Sequence, residues 1–183
     1  MSKAAVFFSE GYEEVEALTA VDLLRRADID VTMVSVEGTP TVAGSHDIVV
    51  QMNQDISQTD WDSMDILILP GGLKGTEGLE SSALLMEKLD EFYHSGRYVA
   101  AICAAPSIFG HRGYLKGRKA TSYPSFESHL EGAVVTHAPA EVDGNVITGR
   151  GMGCSIPFAL AIVKELAGEE TAQKLAGSIV FEG

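Results

Sequence analysis

The chain has 183 residues, 45% of them hydrophobic and 21% charged, which fits one domain with a buried core. A formal net charge of −13 argues against non-specific binding to nucleic acid or to an anionic membrane. No run approaches the ~20 apolar residues of a membrane span, MSKAAVFFSEGYEE is not a secretory signal, and two cysteines 51 residues apart form no disulfide framework or metal spacing, so free thiols in a cytoplasmic setting are expected.

Ala4–Phe8 reads as a short buried strand. EEVEALTAVDLLRRA follows as a helix, with either Val15, Leu18, Val21 and Leu24 or Ala17, Ala20 and Leu24 as its inner face. Arg25 and Arg26 suit its last turn, beside the carbonyl end of the dipole. Val31–Val36 is a second strand. Two extended pieces, Thr41–Ala43 and Asp47–Val50, are separated by turn residues and read as a small hairpin. Asp65–Leu69 is a third buried strand, ending in Pro70, Gly71 and Gly72. Ser81–His94 reads as one amphipathic helix, stopped by Gly96. Tyr98–Ile102 is the next strand and Ala104–Phe109 the next helix. The pattern from 111 to 145 is weaker, apart from a hairpin around Asp143 and Gly144. Ile156–Leu166 and Glu169–Gly177 close the chain as helices. Near-continuous apolar strands alternating with helices imply one doubly wound α/β domain over residues 1–183, with a mostly parallel sheet covered on both faces. Sites in such folds lie beyond the carboxyl ends of the strands, here Ser9–Tyr12, Pro70–Leu73, Cys103 and Gly149–Gly153.

Cys103 stands on the turn from strand to helix. Such a turn can lift a side chain above the sheet, and the helix start that follows favours a thiolate. The competing reading is a small buried hydrophobe, and position alone leaves the two level. Glu16 lies on the first helix among apolar neighbours. Spacing alone favours one solvated acid among Glu10, Glu13 and Glu14; aimed at a thiolate, its carboxyl would be driven toward the protonated form and could donate to sulfur. The Gly71-Gly72 turn could bring an N–H near that sulfur and form an oxyanion hole with the Ala104 N–H, or could be an ordinary turn. Arg150 in GRGMGCS could place a cation beside a small anion, but its spacing matches no nucleotide loop. Cys154 reads as packing before a second reactive thiol. The five histidines show no i, i+4 spacing, so neither a metal nor a cofactor is expected.

EGYEEVEA, DILILPGGLKGTEGL, VAAICAAPS and GRGMGCSIPFALAIV, in that order over almost the whole chain, resemble the DJ-1/ThiJ/PfpI superfamily. The resemblance is nearest to the DJ-1 and bacterial ThiJ (YajL-type) branch. It implies a flavodoxin-like three-layer sandwich, a homodimer, and Cys103 as an oxidisable nucleophile. It further implies Glu16 as the acid bonded to the sulfur, with Gly72 and Ala104 as backbone donors. It points to a stress-protective role on small reactive carbonyls of the methylglyoxal type (glyoxalase- or deglycase-like). The alternative is an oxidation-sensing or chaperone-like protein using the same cysteine, and the family's ThiJ name alone suggests a thiamine-pathway role. Two positions depart from the family. Ala104 stands where the protease-like branch has histidine, which argues against a Cys-His peptidase. Tyr123, in TSYPS, stands where the animal branch has histidine, leaving the third partner of the cysteine open. Arg26, His46 and Arg150 fall where the family places polar groups of an anion pocket.

Overall fold

The computed structural model describes residues 1–182. Its centre is a seven-stranded sheet. β1 (Lys3–Phe8) lies between β2 (Asp30–Ser35) and β6 (Ile66–Leu69). β7 (Tyr98–Ile102) and β11 (Val146–Gly149) continue beyond β6, β10 (Ala140–Asp143) closes that edge, and β5 (Gln54–Asp55) closes the other beside β2. All neighbours pair in parallel except β10 with β11. The order β2-β1-β6-β7-β11 is doubly wound, as the sequence pattern predicts, and flavodoxin-like, as the resemblance implies.

The alternation within β1 shows why both faces must be covered. Ala4, Val6 and Phe8 join one apolar cluster, Ala5 and Phe7 the other, and all five are fully buried. Against the first face pack α1 (Glu14–Arg26), α5 (Ser155–Ala167) and α6 (Glu169–Ser178). Against the second pack α2 (Leu73–Ser81), α3 (Ala83–Ser95) and α4 (Pro106–His111), through Leu79, Leu85, Leu89, Phe92, Ile108 and Phe109.

The structure settles one open choice and corrects other expectations. Of the two inner faces open for α1, it takes Ala17, Ala20 and Leu24, with Val21 and Leu23 also buried; Val15 points outward and Leu18 is only half-buried. The helix expected over Ser81–His94 is present as α3, its start set by Ser82, which accepts from the Leu85 N–H; α2, which precedes it, is not among the expected elements. The helix after Cys103 begins at Pro106 instead of Ala104. The hairpin expected over 41–50 is present as β3 (Thr41–Ala43) and β4 (Val49–Gln51), antiparallel and set over the N-terminus of α1. β8 (Lys119–Ala120) pairs β9 (Val134–Val135), and between them a 3-10 turn, Pro124–His129, passes beside α4.

Candidate active site

β7 ends at Ile102, and the next residue turns sharply. Cys103 has φ +66°, a left-handed conformation that a side chain other than glycine adopts at a cost of about 1–2 kcal/mol. It is held there from both sides: its N–H donates to the Gly149 carbonyl at 3.0 Å, and its carbonyl accepts from the Tyr123 N–H at 2.9 Å. Both bonds are backbone bonds, so the turn is fixed independently of the sulfur. The thiol is half-buried, above the carboxyl ends of β6, β7 and β11.

Glu16 reaches the same point from the first turn of α1. Its residue is 1% exposed. One carboxyl oxygen accepts from the Gly71 N–H at 2.9 Å, and the thiol of Cys103 bonds to the same carboxyl. The other oxygen, Oε1, is buried without any nitrogen or oxygen partner. Two glycines make the approach feasible. A Cβ on Gly71 would stand 2.6 Å from a Glu16 oxygen and 2.7 Å from Cys103 Cβ, and Gly72 holds φ +88° against the Gly11 carbonyl. The solvated-acid reading of Glu16 therefore does not describe this chain.

Burial pushes the Glu16 carboxyl up to about 7, against the lowering effect of the Cys103 and Gly71 bonds. Burial, then the Glu16 charge and its bond, push the Cys103 thiol up to about 12, while the N–H groups of Ala104 and Gly72 reach the sulfur and oppose the rise. A thiol acidified by its helix start is thus not what the site presents while Glu16 is ionised. The first turn after Cys103 is not yet α-helix, and a buried anion stands beside the sulfur. As pH rises through about 7 Glu16 is the first of the pair to ionise, and the proton that remains lies on sulfur. With a proton on Glu16 instead, the like charge is gone and the carboxyl becomes a donor.

The other predicted residues are spread out. The Tyr123 ring is half-exposed and packs near Gly151. Arg150 donates to the His137 carbonyl at 3.3 Å. His46, on the β3–β4 hairpin, bonds Glu14 through both its N–H (2.6 Å) and its Nδ1 (3.0 Å). Arg26 pairs with Asp22 at the far end of α1, roughly 18 Å along the axis from Glu14. The structure therefore does not gather Arg26, His46 and Arg150 into one anion pocket. Cys154 lies at the N-terminal end of α5, its N–H on the Gly151 carbonyl. The absence of local histidine spacing also missed a grouping: Glu13, Glu14 and His46 offer ligand atoms within 4.8 Å of one another, brought together only by the hairpin.

Residues 2–165 match the DJ-1/PfpI family. The chain is 38% identical to the Drosophila melanogaster protein dj-1beta over 183 residues, 98% of each chain. Among solved structures, oxidized DJ-1 of Toxoplasma gondii superposes with a TM-score of 0.95 at 32% identity over 100% of both chains. A DJ-1 superfamily protein of Salmonella typhimurium, solved as a cysteine-to-alanine mutant, gives 0.94 at 29% identity over the same coverage.

Proposed function

The chain belongs to the DJ-1/PfpI family, and from that premise we propose that it is a cysteine-dependent, stress-protective enzyme of the cytoplasm acting on small reactive dicarbonyls such as methylglyoxal. The observation that carries the reading is the fully buried Glu16 carboxyl, shared between the Gly71 N–H and the Cys103 thiol. The reactive form has its proton on Glu16 and the charge on sulfur. The thiolate adds to the aldehyde carbon, an S–C bond forms, and the new alkoxide takes the carboxyl proton. The Gly72 and Ala104 N–H groups, which reach the sulfur, are placed to steady that oxyanion. Glu16 then carries the proton from the former aldehyde carbon to the neighbouring ketone through an enediol, leaving a hydroxy thioester. Water cleaves the C–S bond, releasing a hydroxy acid and restoring the pair. The aldehyde carbon is oxidised and the ketone carbon reduced, so no external redox partner or cofactor enters. Tyr123, whose N–H holds the Cys103 carbonyl, serves as a wall more than as a base, since a phenol is a poor proton acceptor near pH 7.

Methylglyoxal consumption by the wild type and by Cys103→Ser tests the reading. Loss of turnover in the variant is expected, and equal rates would sink it. A second reading uses the same sulfur as an oxidation sensor, and one relative being solved in an oxidized state favours it. Mild peroxide followed by intact-mass measurement decides: two added oxygen atoms on the wild type and none on Cys103→Ser support it.

The proposal includes a homodimer. Val15 and Ile48, 47% and 52% exposed, lie on the outer side of α1 and on the adjoining hairpin, and Met152 is exposed just before α5.

A further inference from the structure

None of the histidines is spaced for metal binding along one element, yet two of them meet in space. His111 ends α4 and His129 ends the 3-10 turn Pro124–His129, 18 residues later. Their ring nitrogens, His111 Nε2 and His129 Nδ1, stand 3.1 Å apart. The two segments approach this closely because position 110 is glycine; a Cβ there would overlap the His129 carbonyl oxygen.

The outer partner of His111 fixes the chemistry of the gap. Glu80, on α2, accepts from His111 Nδ1 at 2.6 Å. An ionised carboxylate only accepts, so Nδ1 carries the hydrogen and the lone pair of the neutral ring sits on Nε2, facing His129. Without an ion that nitrogen accepts from the His129 Nδ1–H; a carboxylate behind an imidazole is the arrangement that orients a metal-ligating histidine and fixes its tautomer. Two nitrogens bound at 2.0–2.1 Å in a tetrahedral site lie about 3.3 Å apart, close to the separation found here. Arg112, the nearest cation in sequence, is turned away onto Asp90. Both imidazoles are within reach of solvent: the His111 side chain is part-exposed and His129 is exposed.

We infer that His111 and His129 form a two-nitrogen clip for a borderline divalent ion, Zn2+, Cu2+ or Ni2+, with Glu80 behind His111 and water in the remaining positions. Binding requires His129 to carry its hydrogen on Nε2 and releases no net proton from the neutral pair. Because α4 follows the Cys103 turn and the 3-10 turn follows Tyr123, whose N–H holds the Cys103 carbonyl, the ion would tie together the two segments that flank the cysteine. The clip does not depend on the carbonyl chemistry proposed above.

Calorimetric titration of Zn2+ into the full chain is the test, with folding of each variant checked by circular dichroism. A saturable site is expected in the wild type, in His46→Gln and in Cys103→Ser. His111→Gln and His129→Gln should each weaken it by at least tenfold, and Glu80→Gln by about tenfold. No binding to the wild type, or unchanged binding in the His111 and His129 variants, overturns the proposal. So does loss that follows His46→Gln instead, which would assign the ion to the Glu13, Glu14 and His46 group. Cu2+ bound to the wild type should show two nitrogen donors by electron paramagnetic resonance, falling to one or none in His129→Gln; an oxygen-only spectrum overturns it as well.

Discussion

At the scale of single residues, the chemistry turns on where one proton sits. Burial raises the Glu16 carboxyl to about 7; burial first, and then the Glu16 charge, raise the Cys103 thiol to about 12. The proposed mechanism needs the proton on the carboxyl and the charge on sulfur, where the Gly72 and Ala104 N–H groups can stabilise it. Glu16→Gln distinguishes the two arrangements, because glutamine keeps a weaker donor and cannot ionise. If the wild-type carboxyl is the donor, the pH midpoint of Cys103 alkylation by iodoacetamide moves upward in the variant. If the carboxyl is the ionised partner, removing its charge moves that midpoint downward, and the mechanism falls. How much of this was legible in sequence follows from distance along the chain. Cys103, read on a strand-to-helix turn, needs only local pattern. Glu16 does not: the carboxyl lies 55 residues from the Gly71 N–H it accepts from, and four acids in one short stretch look alike until the fold buries Glu14 and Glu16. The motif order supplied what spacing could not.

At the scale of elements, the β3–β4 hairpin is held to α1 by one buried carboxylate. Burial alone would push Glu14 up, but the His46 ring, the His46 N–H and Ser45 Oγ all bond it and bring it down to about 2. An acid depressed in the folded state adds stability at every pH above its unfolded value of 4.5, and that contribution is lost as pH falls through the interval toward about 2. Glu14→Gln should therefore be less stable than the wild type at pH 7 by on the order of 1–3 kcal/mol, as for hydrogen bonds to a charged group. The difference in urea midpoint should narrow at pH 3; an unchanged difference would assign the effect to packing. Elements, unlike contacts, were mostly legible. β7 matches its apolar run residue for residue, and the hairpin at Asp143 and Gly144 forms where its turn residues place it. α2 was not legible: it carries Gly75 and Gly78, and glycine is a poor helix former. Their role is spacing: a Cβ on Gly75 would stand 2.7 Å from Tyr12 Cα, and one on Gly78 would run into Ser9. Tertiary crowding here outweighs a propensity cost of about 1 kcal/mol per glycine.

At the scale of the whole molecule, the doubly wound order puts the carboxyl ends of β1, β6, β7 and β11 at one edge, which is why residues as distant as Ser9, Gly71, Cys103 and Arg150 share a neighbourhood. The same architecture leaves the outer side of α1 without cover, and there the apolar Val15 and Ile48 meet the overall acidity of the chain. Two copies joined on that face would bring together net charges of −13 each, a repulsion that acts over the Debye length of about 10 Å at 0.1 M salt and shrinks as salt rises. Apolar burial is far less sensitive to such concentrations. The proposed dimer should thus tighten as ionic strength increases, the reverse of an association held by opposite charges. Sedimentation velocity from low to moderate salt should show the dimer fraction growing at fixed protein concentration. Val15→Glu, which adds charge and removes apolar area at an exposed position outside the core, should give monomer at all salt levels with little change in thermal midpoint. A dimer that dissociates with salt, or that survives Val15→Glu, would place the interface elsewhere and leave the α1 face free.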